Sequence, residues 1–148
     1  MTNLQACERF ESANSATIDK LFWIAGSLEN SDLLEMVEEM ENDDLKKCFP
    51  DIFDDNDFIE ECRDRDSLTS LIVANNKFGL LAEIHLPECS GFKFKKNKPT
   101  SWRVSRSISR VAHVYAETLE ELIEKVEVAS KENFEACVAK ELKQVRQS

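Results

Sequence analysis

Residues 102–122 read WRVSRSISRVAHVYAETLEEL. Trp102, Val104, Ile108, Ala112 and Val114 alternate with Arg103, Ser105, Ser107, Ser109 and His113, the period of two expected of a strand with one buried face. Arg106 and Arg110 fall on the apolar side, so a bulge or an exposed strand end is expected to interrupt it. At Thr118 the pattern changes. Thr118-Leu119-Glu120-Glu121 is a capping box, and Leu119, Leu122, Val126, Ala129, Phe134, Val138, Leu142 and Val145 share one side of the helix it opens. A strand running into a long amphipathic helix predicts a sheet covered by that helix, hence the α+β class.

Working back from this stretch, Pro87 to Thr100 reads as a polar loop, and Leu80, Ala82, Ile84 and Leu86 alternate with Leu81, Glu83 and His85 as a second strand. Leu68 to Ala74 is rich in Leu, Ile and Val and is followed by Asn75 and Asn76, which tolerate positive φ, so residues 68–86 are expected to form a β-hairpin. Further upstream the period is helical. Ile18, Leu21, Phe22 and Ala25 precede Gly26, predicting a helix that Leu4, Cys7 and Phe10 extend backwards. Leu33, Leu34, Val37 and Met40 form the stripe of a second helix after Asn30 and Ser31. Pro50 stops what precedes it, and Asp54 with Asp57 predicts the cap of a third helix carrying Phe58, Ile59 and Cys62. The expectation is one domain over 1–148, with an acidic helical part at 1–66 and, at 67–148, an antiparallel sheet of about three strands plus the C-terminal helix.

A chain of 148 residues with 42% hydrophobic residues is long enough to bury about 69% of its unfolded surface without a metal or disulfide scaffold. Cysteines at 7, 48, 62, 89 and 137 include no C-x-x-C pair, and neither His85 nor His113 has a second ligand at metal spacing, so no metal or other cofactor is expected. The longest uncharged run, Ser67 to Asn76, is too short for a bilayer. Residues 1–14 lack the apolar run of a secretory signal, which predicts a cytoplasmic protein. Gly26, Gly79 and Gly91 are isolated, so no phosphate loop or dinucleotide fingerprint is present. Few titratable groups other than carboxylates are available for acid-base or nucleophilic work, and no enzyme activity is expected.

Charge is unevenly spread. The net −10 is divided into −13 over residues 1–66, +6 over 67–116 and −3 over 117–148. Glu35, Glu38, Glu39, Asp54, Asp55 and Asp57 head a dense run of carboxylates. Such a run suits docking on a basic protein surface, one that otherwise holds a phosphate backbone included, and it serves equally as a solubilising face. Asp51 to Cys62 lacks the order and turn glycine of a calcium loop. Opposite charges on one chain also suit a homodimer. The competing site is Lys93, Lys95, Lys96, Trp102, Arg103 and Arg106, where cations interleave with Phe92, Phe94 and Trp102 in the manner of single-strand nucleic-acid binding; the same residues would serve as core and sheet edge.

The run from Trp102-Arg103-Val104 through Val114-Tyr115-Ala116 to Thr118-Leu119-Glu120-Glu121-Leu122 resembles the strand-to-helix junction of small accessory proteins from phages and other mobile elements. The resemblance implies a small, non-catalytic binding protein, such as an anti-CRISPR-like inhibitor of a host defence complex acting as a DNA mimic. A toxin-neutralising immunity protein would share these features.

Overall fold

The structure, a computed structural model, describes residues 16–24, 31–75 and 79–147, without the side chains of 106–108 and 145–147. The order is β1 (Thr17–Trp23), α1 (Ser31–Glu39), α2 (Asn42–Cys48), α3 (Asn56–Asp64), α4 (Leu68–Asn75), β2 (Leu80–Lys95), β3 (Lys98–Ala116) and α5 (Leu119–Gln147). Among the described residues the strands form one antiparallel sheet in the order β1-β2-β3, and α5 packs on it. The fold is α+β. Leu4, Cys7, Phe10, Ala25, Gly26 and Asn76 lie outside the described residues, as do the side chains of Arg106 and Ile108.

Three elements differ from the sequence reading, and a fourth, α2, has no counterpart in it. The expected first helix is a strand. Phe22 and Ile24 are buried while Leu21 and Trp23 are exposed, so the operative period is two, and Thr17, Ile18, Phe22 and Trp23 are the β-branched and aromatic types that strands favour. Ile24 N–H donates to the Gly79 carbonyl oxygen at 2.8 Å, so β1 runs antiparallel to the opening of β2. The expected strand at 68–74 is instead α4. An apolar run of that length fits either structure by periodicity, but Leu71 N–H donates to the Ser67 carbonyl oxygen at 3.1 Å, and the buried Leu68, Thr69 and Ile72 share a helical face.

The expected loop at 87–100 is strand as well, closed by a two-residue turn. Lys96 and Asn97 both have positive φ, 54° and 65°, the requirement of the turn whose twist matches the flanking strands. Cys89 and Phe92 are buried within this stretch. Strand β3 is assigned without interruption from Lys98 to Ala116.

The chain divides into two units. One takes Ile18–Glu83 with Ala112–Ile123; it holds the four short helices around a core of Leu33, Val37, Leu45, Phe53, Ile59 and Ile72. The other takes Ile84–Val111 with α5 from Glu124 on, and its core is aromatic. Phe92 stacks on Trp102 with centroids 6.0 Å apart, and Phe134 of α5 meets both rings edge-on at 5.9 and 5.8 Å. At the start of α5, Glu121 N–H donates to Thr118 Oγ1 at 3.2 Å and Glu121 Oε2 accepts from Glu117 N–H at 3.4 Å. The capping box therefore closes one residue further upstream than its usual form.

Candidate functional site

In the helical unit, α1 buries Leu33, Met36 and Val37, and Met40 just after it is buried too. The 3.6-residue period then leaves Glu35, Glu38 and Glu39 exposed. Met36 belongs to the buried stripe, while Leu34, expected there, is half-buried at its edge. Asp54, Asp55 and Asp57 are also exposed. Asp55, rather than Asp54, caps α3: its Oδ1 accepts from Asp57 N–H at 2.9 Å.

Arg63 of α3 orders this face. Its Nη1 donates to the Glu38 carbonyl oxygen at 3.1 Å and its Nη2 to the Met40 carbonyl oxygen at 2.6 Å. Nε and Nη2 also donate to Asn42 Oδ1 at 3.3 and 2.9 Å. One guanidinium thus satisfies orphan carbonyls at the end of α1 and a side chain at the start of α2, with its charge opposite the negative end of the α1 dipole. Beside it lies a cleft of about 180 Å³ lined by Leu34, Glu38, Arg63, Asp66, Leu68 and Thr69. Leu34 and Leu68 supply apolar walls, and Glu38 and Asp66 supply carboxylates.

Salt bridges answer only part of this negative charge. Asp43–Lys46 at 3.5 Å, Glu60–Arg63 at 3.9 Å and Glu61–Arg65 at 2.9 Å run along the helices, whereas Glu35, Glu38, Glu39, Asp54 and Asp57 enter none among the described residues. Residues 18–83 and 112–123 together hold 21 Asp and Glu against 6 Lys and Arg, a formal charge of −15. All six sequence-predicted carboxylates fall in this unit.

The predicted cations fall in the other unit. Lys93, Lys95, Lys96 and Arg103 are exposed on the β2–β3 hairpin. Their aromatic neighbours turn the other way: Phe92 is buried, and the half-buried Trp102 is stacked on it and packed against Phe134. Arg106 lies on β3, its side chain outside the described residues. The Arg103 guanidinium lies over the Cα of Gly91, whose φ is +70°.

Two histidines sit among polar partners. His113 Nδ1 lies 3.3 Å from Asp44 Oδ2, with its side chain 7% exposed, and the Cys48 thiol donates to the His113 carbonyl oxygen at 3.1 Å. His85 Nδ1 lies 3.3 Å from Ser109 Oγ. Among the described residues no three His, Cys, Asp or Glu side chains stand together as a metal-ion cage, and no helix is long and apolar enough to cross a membrane.

Sequence reasoning missed Arg63, Asp66, Leu68 and Thr69. The Glu60-to-Arg63 spacing marks an i, i+3 pair, but nothing local signals that the guanidinium crosses to carbonyls 23 and 25 residues away. The chain matches no family model, no curated protein and no solved structure.

Proposed function

We propose that the chain is a non-enzymatic binding protein that docks its acidic helical unit on a basic protein surface. The observation that carries this reading is the cleft beside Arg63, where apolar walls from Leu34 and Leu68 stand with the carboxylates of Glu38 and Asp66 on a unit of formal charge −15. Its volume suits one side chain. A lysine or arginine of the partner would lay its methylene stem on the two leucines and present its head to the carboxylates. Arg63, which also lines the cleft, directs four of its five N–H groups to the Glu38 and Met40 carbonyl oxygens and to Asn42 Oδ1, which leaves most of its hydrogen-bonding capacity turned away from these carboxylates.

A surface that ordinarily holds a phosphate backbone has the matching sign and density of charge, so the chain acts towards it as a nucleic-acid mimic. Inhibition of a nucleic-acid-guided defence complex is the role this favours, in keeping with the resemblance of residues 102–122 to phage and mobile-element accessory proteins. The cytoplasm, where free thiols are kept reduced, is the setting that goes with it. The test is capture on the immobilised chain of a basic nucleic-acid-binding protein, followed by competition with duplex DNA. Displacement of the partner by DNA is the expected result; a partner indifferent to DNA and to salt would overturn the reading.

The second reading is nucleic-acid binding through the hairpin, favoured by the exposure of Lys93, Lys95, Lys96 and Arg103. It predicts binding of a short single strand at low salt, with an affinity that falls as salt rises in proportion to the phosphates held.

A further inference from the structure

Within the unit that holds the aromatic core, β2 and α5 share a register. Asn133 Nδ2 donates to the Pro87 carbonyl oxygen at 2.8 Å. One helical turn on stands Cys137, and two strand residues on stands Cys89. Four helical residues advance about 6 Å and two strand residues about 6.6 Å, so the step that carries Asn133 to Cys137 matches the step that carries Pro87 to Cys89. The two cysteines pack in one cluster with Phe92 and Phe134. The two side chains interact, each shifting the other's titration, and the Cys89 thiol lies 4.0 Å from the same Pro87 carbonyl oxygen that Asn133 holds. Both thiols are free.

We propose that Cys89 and Cys137 form a peroxide-responsive dithiol switch that closes a disulfide between β2 and α5.

The environments of the two sulfurs assign their roles. Cys137 is half-buried and Cys89 is 3% exposed, so an oxidant arriving from solvent meets Cys137 first. The interaction with Cys89 holds the Cys137 thiol below the ordinary thiol range; burial and Glu88 oppose this, and Lys140, one turn along, assists it. The Cys89 thiol is held above the ordinary range by the same interaction, by burial and by the charges of Cys137 and Glu88. Cys137 is therefore the attacking thiolate and Cys89 the resolving thiol.

The step balances with hydrogen peroxide as oxidant. The Cys137 thiolate attacks one peroxide oxygen, an S–O bond forms, the O–O bond breaks and hydroxide leaves, giving a sulfenic acid. The Cys89 sulfur then attacks the Cys137 sulfur, the S–S bond forms, the S–O bond breaks and hydroxide departs with the Cys89 proton as water. Two thiols give up two electrons and two protons, and one peroxide becomes two waters. Resolution is intramolecular, so it outruns further oxidation of Cys137. The disulfide fastens α5 to β2 and constrains the unfolded chain.

The experiment uses the full chain, reduced, freed of reductant, treated with hydrogen peroxide, then alkylated and digested with trypsin. The expected product links peptide 78–93 to peptide 132–140, is about 2 Da lighter than the two free peptides together, and reverts with a dithiol reductant. The oxidised chain melts several degrees above the reduced one. Cys89→Ser leaves Cys137 at the sulfenic stage, trapped by a dione probe, and Cys137→Ser leaves Cys89 unoxidised. The proposal is overturned if, in the wild-type chain, Cys137 passes to the sulfinic acid without the link, if either cysteine pairs elsewhere, or if both remain alkylatable at a peroxide dose that fully oxidises free glutathione. Peptide mapping of the wild-type chain decides the matter even if neither variant folds.

Discussion

Arg63 Nη2 donates to the carbonyl oxygen of Met40 at 2.6 Å, across 23 residues of chain. The bond joins the last turn of α3 to the residue that follows α1. It explains how a unit so rich in carboxylates keeps a defined surface: the guanidinium is used inside, on carbonyls that helix termini leave unsatisfied, and the surface carboxylates are left to face outward.

Replacing Arg63 by Ala strands the carbonyls of Glu38 and Met40 and the Asn42 side chain. The expected cost is about 2–3 kcal/mol, read from denaturant unfolding. Arg63→Lys restores the charge without the fork that reaches two carbonyls at once, so it should recover only part of the loss. A full recovery by Lys would show that charge alone matters at this position.

The capping role of Asp55 separates two adjacent carboxylates. Asp55→Ala removes the bond to Asp57 N–H and should lower stability by about 1 kcal/mol, while Asp54→Ala should leave it unchanged within error. Equal effects in thermal melts would refute the assignment of the cap.

Phe134 is 2% exposed and touches both Phe92 and Trp102. Phe134→Ala should cost about 3–5 kcal/mol and admit water to Trp102, shifting its emission to the red. Trp23 is 54% exposed on β1 and its emission should not move, so the difference spectrum belongs to Trp102. Trp23→Phe in the same background checks that attribution.

Tyr115 is the one tyrosine of the chain. Its ring lies 5.1 Å from that of Phe49 and fills the space where a side chain on Gly79 would go. Burial first, then the charges of Glu117 and Glu121, raise its phenol above the ordinary value of 10.0. A raised value means that the folded state favours the neutral phenol. Its contribution is fully present below the unfolded value and is lost as pH rises through the higher folded one. Tyrosinate absorbance should accordingly appear above pH 10, and earlier in Glu117→Gln and Glu121→Gln. Ionisation at or below the ordinary value would contradict the burial.

What the sequence made legible was what depends on long periodic stretches. The Thr118 box and the helix after it, the α1 stripe and the alternation at 80–86 each rest on several residues in register. β1 and α4 are ambiguous in sequence for a shared reason. Seven- or eight-residue segments such as TIDKLFW and LTSLIVAN satisfy strand and helix spacing about equally well, and the choice falls to tertiary partners such as the Gly79 carbonyl that receives Ile24 N–H. The hairpin at 96–97 was hidden because lysine rarely takes positive φ. Of the candidate site, exposure of Glu35, Glu38 and Glu39 follows from helical period. The cleft does not, because Leu34 and Asp66 meet only through the packing of α1 against α4 and the Arg63 turn.

The most direct measurement of the acidic-docking account is the association rate with a captured basic partner as a function of ionic strength. The wild-type chain is compared with a variant in which Glu35, Glu38 and Glu39 become Gln and Asp54 and Asp57 become Asn, Asp55 being kept as the cap. The wild-type rate should fall steeply with salt while dissociation changes little. The variant should melt at or above the wild-type temperature, associate at least about tenfold more slowly at low salt, and lose most of the salt dependence. A folded variant that associates at the wild-type rate with the wild-type salt slope would contradict the account.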